Sequence, residues 1–211
     1  MAKITASLLQ AYDWYLAHPS TQALQRIYNS LTKGFTGSIA TERGEKYENY
    51  VNQALLEGIE FTQECERRVL SPRLKGCSQQ DWITPFDVET SSGIFTFKGR
   101  TDYQGDDIVY DLKTTKRFKE EDYHKKWQHT VYALATKKSS FEYLVAVFPD
   151  DSGLTPIDIH VVHPVVQPIE KLAAKVDECV KFMLDHYRRE FSEWSGWQDK
   201  EAEKLETEVE F

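Results

Sequence analysis

The sequence predicts an α/β fold in which helices flank a central mixed β-sheet. Segments of helical periodicity precede, separate and follow two groups of short Val-, Ile-, Tyr- and Phe-rich runs, in the order helices, three strands, helix, two strands, helix. The composition is globular, 40% hydrophobic and 13% aromatic over 211 residues, enough for a full core. No run of 18 apolar residues occurs, so no membrane span is expected.

In chain order, residues 4–17 place Leu8, Tyr12, Tyr15 and Leu16 at helical spacing, and Pro19 helps to stop this helix. Ser20 can cap a second helix carrying Leu24, Ile27, Tyr28 and Leu31, ending near Gly34. These two form an expected helical N-terminal cover over residues 1–40, ahead of a core at 41–191 in one domain spanning 1–197. Thr41 opens a third helix reaching Gly58, with Tyr47, Val51, Ala54 and Leu55 as its apolar stripe and Glu48 on the shoulder. A carboxylate so placed needs a partner if it is buried. Residues 59–80 are weakly patterned, a helix fragment or loop.

Strands are expected at 82–89, 93–102, 107–114, 142–149 and 156–163, with a helix at 120–136 between the third and fourth. Pro168 opens a long helix with Ile169, Leu172, Val176, Val180, Met183 and Tyr187 on one face. The tail at 198–211 is acidic.

Charge is segregated along the chain. Of the net −8, −6 falls after residue 189, leaving −2 for the rest. Between Lys113 and Lys126 lie six lysines and arginines, interrupted by Glu120, Glu121 and Asp122. Cys65, Cys77 and Cys179 are odd in number and lack metal-ligand spacing, which fits a reducing cytoplasm and leaves too few ligands for an iron–sulfur cluster.

The stretch from Gly99 to Tyr132 concentrates the chemistry. Asp111 and Lys113 share a strand face by the period of two. A hairpin centred on Gly105 and Asp106 pairs residues whose numbers sum to 211, placing Asp102 opposite Val109 and one diagonal step from Asp111. Two carboxylates and an ammonium then meet on one patch of sheet, as a divalent metal and a water nucleophile require. A structural salt bridge is the competing reading of Asp111 and Lys113. Gln128 and Tyr132, four apart on the following helix, share a face.

These residues resemble the PD-(D/E)xK nuclease superfamily, most closely its RecB-like and phage-exonuclease branches. The matching pattern is Gly99-x-x-Asp102, then Asp111-x-Lys113-Thr114, then Gln128-x-x-x-Tyr132, preceded by Gly44-x-x-x-Glu48 on a helix. The sequence departs from the pattern in carrying Thr101 where the name has proline, and glutamate at 48 where histidine is frequent.

The resemblance implies a restriction-endonuclease-like core and Mg²⁺- or Mn²⁺-dependent hydrolysis of DNA. Asp102, Asp111 and Glu48 would supply carboxylate ligands, the backbone carbonyl of Leu112 a further one, and Lys113 would stabilise charge or position water. Gln128, Tyr132, Thr114, Lys116 and Arg117 would contact the substrate strand. An exonuclease of recombination or repair type is the leading expectation. An endonuclease of the same superfamily, an inactive DNA-binding module and an adaptor are the alternatives. The acidic tail could dock a partner such as a single-strand annealing protein, and a homo-oligomeric ring would add processivity.

Overall fold

The computed structural model describes residues 1–32, 39–150 and 153–196. The acidic tail expected at 198–211 lies outside the described residues. The chain divides into two compact units. One holds the described residues within 1–34, 87–97 and 173–211; the other holds those within 35–86 and 98–172.

In the first unit, strand β1 (Ala2–Ile4) precedes helices α1 (Ala6–Ala17) and α2 (Thr21–Thr32). Thr5 ends β1 and caps α1, its hydroxyl accepting from the Leu8 N–H at 3.2 Å. The sequence reading ran the helix from residue 4 and missed β1, because three residues are too few to show a period of two. Strands β3 (Phe86–Thr90) and β4 (Gly93–Phe97) complete a sheet of order β1-β4-β3, with β1 parallel to β4. Helix α7 (Ile169–Ser195) brings Val176, Val180, Met183 and Phe191 into the core. Its helical backbone is interrupted at Tyr187 (φ −142°, ψ 34°), whose hydroxyl donates to the Leu24 carbonyl.

The second unit carries helices α3 (Ile39–Glu57) and α4 (Glu64–Leu74), then strands β2 (Ser78–Gln79), β5 (Tyr103–Gln104) and β6 (Ile108–Thr115). Helices α5 (Glu121–His124) and α6 (Gln128–Thr136) follow, and strands β7 (Ser140–Val147) and β8 (Asp158–Val162) close it. Its sheet runs β2-β5-β6-β7-β8, antiparallel except for the β6–β7 pair. That parallel pair needs a crossover, and α5 and α6 provide it.

Both sheet faces are covered. Leu112, Leu144, Ala146 and Ile159 pack with Tyr47, Val51 and Ala54 of α3 and Val69, Leu70 and Leu74 of α4. Val109, Tyr143, Val145 and Val162 pack with Tyr123 and Tyr132 on the other side. Each such large apolar side chain contributes about 1.5–3 kcal/mol when fully buried.

Three expectations change. The segment at 59–80 contains a full helix, α4, masked in the sequence by its charge and by Pro72. The helix expected at 120–136 is two, parted at Lys125–Trp127, where Lys126 folds back over the Tyr123 ring at 5.4 Å. The strand expected at 93–102 stops at Phe97, so Asp102 sits in a bend just before β5 rather than inside a strand.

Candidate active site

The hairpin between β5 and β6 turns on Asp106 and Asp107, closed by a bond from the Gly105 N–H to the Ile108 carbonyl. Tyr103 therefore pairs with Tyr110 and Gln104 with Val109. The partners sum to 213, one turn position later than expected, so the continued register sets Asp102 opposite Asp111 instead of Val109. The two acids are closer than the sequence reading placed them.

Strand β5 is only two residues long, so beyond Tyr110 the free edge of β6 meets a side chain. Oδ2 of Asp102 accepts from the Leu112 N–H at 2.8 Å. A strand residue's N–H and C=O leave on the same side, so the Leu112 carbonyl also points toward Asp102.

Asp111 is fully buried. Its Oδ1 accepts from the Gln128 side-chain amide at 2.7 Å, and its Oδ2 is ion-paired with Lys113, whose side chain keeps 31% of its exposure. Tyr132 is hydrogen-bonded to Gln128, and its ring lies against Gly99. Gln128 thus spends its amide on Asp111, joining α6 to β6.

Glu48 reaches the site from α3 and has the partner its position demanded: Gln80 Nε2 donates to its Oε1 at 3.0 Å. The Gln80 backbone N–H also donates to the Asp102 carbonyl at 2.8 Å, and its φ of +54° is left-handed. Sequence reasoning missed Gln80 because a bond depending on an unusual backbone angle leaves no periodic trace. Among the described residues no group of three or more His, Cys, Asp or Glu side chains is gathered closely enough to hold a metal ion. Asp102 and Asp111 face each other, and Gln80 holds Glu48 near enough for its charge to act on Asp102.

Thr114 lies on the opposite face of β6 from Asp111 and Lys113, its hydroxyl 3.3 Å from where a Gly44 side chain would begin. Lys116 and Arg117 are exposed in the loop after β6, where the Thr115 hydroxyl donates to the Arg117 carbonyl.

The electrostatics are those of crowded acids. Burial, then the charges of Asp111 and Glu48, push the Asp102 carboxyl up to about 8 against the opposing pull of Lys113 and the Leu112 N–H. Burial pulls the Lys113 ammonium down, but Asp111 and Asp102 outweigh it and hold Lys113 above its ordinary value. Lys113 remains a cation at neutral pH. Two carboxylates and a carbonyl, with solvent and substrate to complete the shell, suit a hard six-coordinate divalent ion, which is commonly held by one or two protein carboxylates. The donor set fits such a metal.

No curated protein matches the chain in sequence. Among solved structures, that of SSO0001 superposes with a TM-score of 0.54 at 10% identity, covering 86% of this chain and 76% of that one. LHK-Exo, an alkaline exonuclease from Laribacter hongkongensis, gives 0.46 at 16% identity, covering 96% of this chain and 94% of its own. A phage related exonuclease from Haemophilus somnus 129PT gives 0.46 at 13%, covering 87% and 95%. The SSO0001 superposition is a likeness of fold. The sequence profile of the PD-(D/E)XK nuclease superfamily matches residues 9–211, nearly the whole chain and all of the acid, lysine and glutamine framework above. This chain belongs to the PD-(D/E)XK nuclease superfamily.

Proposed function

We propose that the chain is a divalent-metal-dependent DNA exonuclease of recombination or repair type, hydrolysing phosphodiester bonds from strand ends. The observation that carries this reading is the facing pair Asp102 and Asp111 with Lys113 ion-paired beside it. A fold gains nothing from setting a buried and a half-buried acid together, since each raises the cost of ionising the other.

Asp102, Asp111 and the Leu112 carbonyl would hold Mg²⁺ or Mn²⁺, which when bound activates a water and neutralises charge on the scissile phosphate. Lys113, kept cationic by both aspartates, faces the developing negative charge or orients the attacking water. Gln128 fixes the Asp111 carboxylate from α6, and Tyr132 braces Gln128. Glu48, anchored by Gln80, adds negative charge near Asp102 and so favours a cation there. Lys116 and Arg117 would contact phosphates without reading sequence. The preference for ends over internal bonds rests on the resemblance of Gln128-x-x-x-Tyr132 to the exonuclease branches.

The test is incubation with end-labelled linear duplex and with closed circular DNA, in Mg²⁺, Mn²⁺ or EDTA. Shortening of the linear substrate alone, only with metal, is expected. Cutting of the circle would assign an endonuclease instead. Asp111→Ala and Lys113→Ala should each abolish digestion while keeping the native circular dichroism, and digestion unchanged in both would end the proposal.

A further inference from the structure

Trp82 is 76% exposed, and among the described residues no other Phe, Tyr or Trp ring is exposed. Indole offers a large flat apolar face with a polar edge, suited to stacking, and what matters is where it stands. The segment Gln80–Ile83 pairs with Gly99–Asp102: the Thr101 N–H donates to the Asp81 carbonyl at 3.0 Å, the Ile83 N–H to the Gly99 carbonyl at 3.0 Å, and Trp82 bridges Arg100. Trp82 is therefore fixed on a backbone ladder, two residues from the Gln80 that holds both Glu48 and the Asp102 carbonyl. Directly paired residues of an antiparallel bridge lie on one face, so the Trp82 and Arg100 side chains leave the ladder on the same side. Both Arg100 and nearby Lys98 are exposed.

A bare aromatic ring beside two exposed cations is the chemistry of a stacked base between phosphates. A second copy of the chain meeting this patch through its own two-fold counterpart would bring Arg100 against Arg100, which disfavours a dimer. We propose that Trp82 is a stacking platform for an unpaired nucleobase of the substrate strand, with Arg100 and Lys98 taking the flanking phosphates. The site would thus receive a single strand or a frayed end. This rests on the DNA reading above and adds the form in which the DNA arrives.

The test measures binding without metal, so that hydrolysis plays no part. Trp82→Leu and Trp82→Phe would be compared with the unchanged chain, using an oligothymidylate and an abasic oligomer of equal length in EDTA, by fluorescence quenching and anisotropy. The exposed position makes both variants compatible with folding. The oligothymidylate should quench the unchanged protein, Trp82→Leu should weaken binding about tenfold, Trp82→Phe should stay within about threefold, and the abasic oligomer should bind the unchanged protein no better than oligothymidylate binds Trp82→Leu. Equal affinity of Trp82→Leu and the unchanged chain would overturn the proposal, as would full binding of the abasic oligomer. So would sedimentation showing a dimer that Trp82→Leu dissociates, since a second copy would then cover the ring. Quenching without digestion in Mg²⁺ would sink the nuclease and leave the platform standing. Digestion with no loss in Trp82→Leu binding would do the reverse.

Discussion

The ring of Tyr132 closes over Gly99 so tightly that a methyl group on Gly99 would lie 3.0 Å from Tyr132 Cε1 and 3.1 Å from its hydroxyl. Tyr132 braces Gln128, and Gln128 holds Asp111, so the glycine indirectly sets the position of a candidate metal ligand. Gly99→Ala should push the ring away, destabilising the protein by about 1–3 kcal/mol through overpacking. Nuclease activity should fall at least about tenfold at temperatures where the variant is fully folded, since small misplacements in a site are costly. Denaturant midpoints and initial digestion rates would check the two effects separately.

The crowding of Asp102 by Asp111 and Glu48 implies a conflict between stability and function. In Asp102→Asn the amide oxygen can still accept the Leu112 N–H, while folding at neutral pH no longer has to protonate a carboxylate that is ionised in the unfolded chain. The metal-free variant should be more stable at neutral pH by about 1–3 kcal/mol and inactive. Urea unfolding in EDTA is the measurement, and a less stable Asp102→Asn would contradict the account.

His129 is 1% exposed, with Tyr143 Oη and the Val165 carbonyl at its two ring nitrogens, the Phe141 ring beside it and His124 close enough to oppose its protonation. Burial, with a smaller effect from His124, pulls it down from 6.5 to about 4 despite the Val165 contact. Between those values the unfolded chain binds the proton and the folded one does not, so stability falls as pH drops through that window. At about 1.4 kcal/mol per unit, the loss reaches roughly 3 kcal/mol by pH 4. His129→Gln should be less stable at pH 7.5 yet flatter between pH 7 and 4, read from urea midpoints across the range.

Glu66 is a buried carboxylate that accepts from Tyr47 at 2.9 Å, Tyr50 at 3.3 Å and the Gln63 N–H at 3.2 Å, tying the start of α4 to α3. Glu66→Ala strands a buried tyrosine hydroxyl and opens the cap, and should cost about 2–4 kcal/mol. Because Tyr47 packs under the sheet face that carries Leu112, thermal unfolding should remain a single transition shifted downward.

Much of this site was legible because β-strand parity is robust. Asp111 and Lys113 share a face whatever the register. Moving the turn centre from Gly105–Asp106 to Asp106–Asp107 shifts the partner of Asp102 by two residues, which keeps it on the same face and improves the pairing. The stripe of Tyr47, Val51 and Ala54 was equally clear, and all three are buried. What escaped were features with no period to detect: the two-residue β5, the three-residue β1 and the left-handed Gln80. Thr114 entered with the motif Asp111-x-Lys113-Thr114, and strand alternation turns it toward Gly44.

The brevity of β5 makes one carboxylate a surrogate for a missing backbone neighbour, because Asp102 caps an N–H of β6 that a longer strand would have capped. Evolutionary drift at this position is therefore constrained twice, once by chemistry and once by architecture. Descendants that abandon hydrolysis should reach asparagine there far more readily than alanine or glycine, leaving a recognisable scar of a former enzyme.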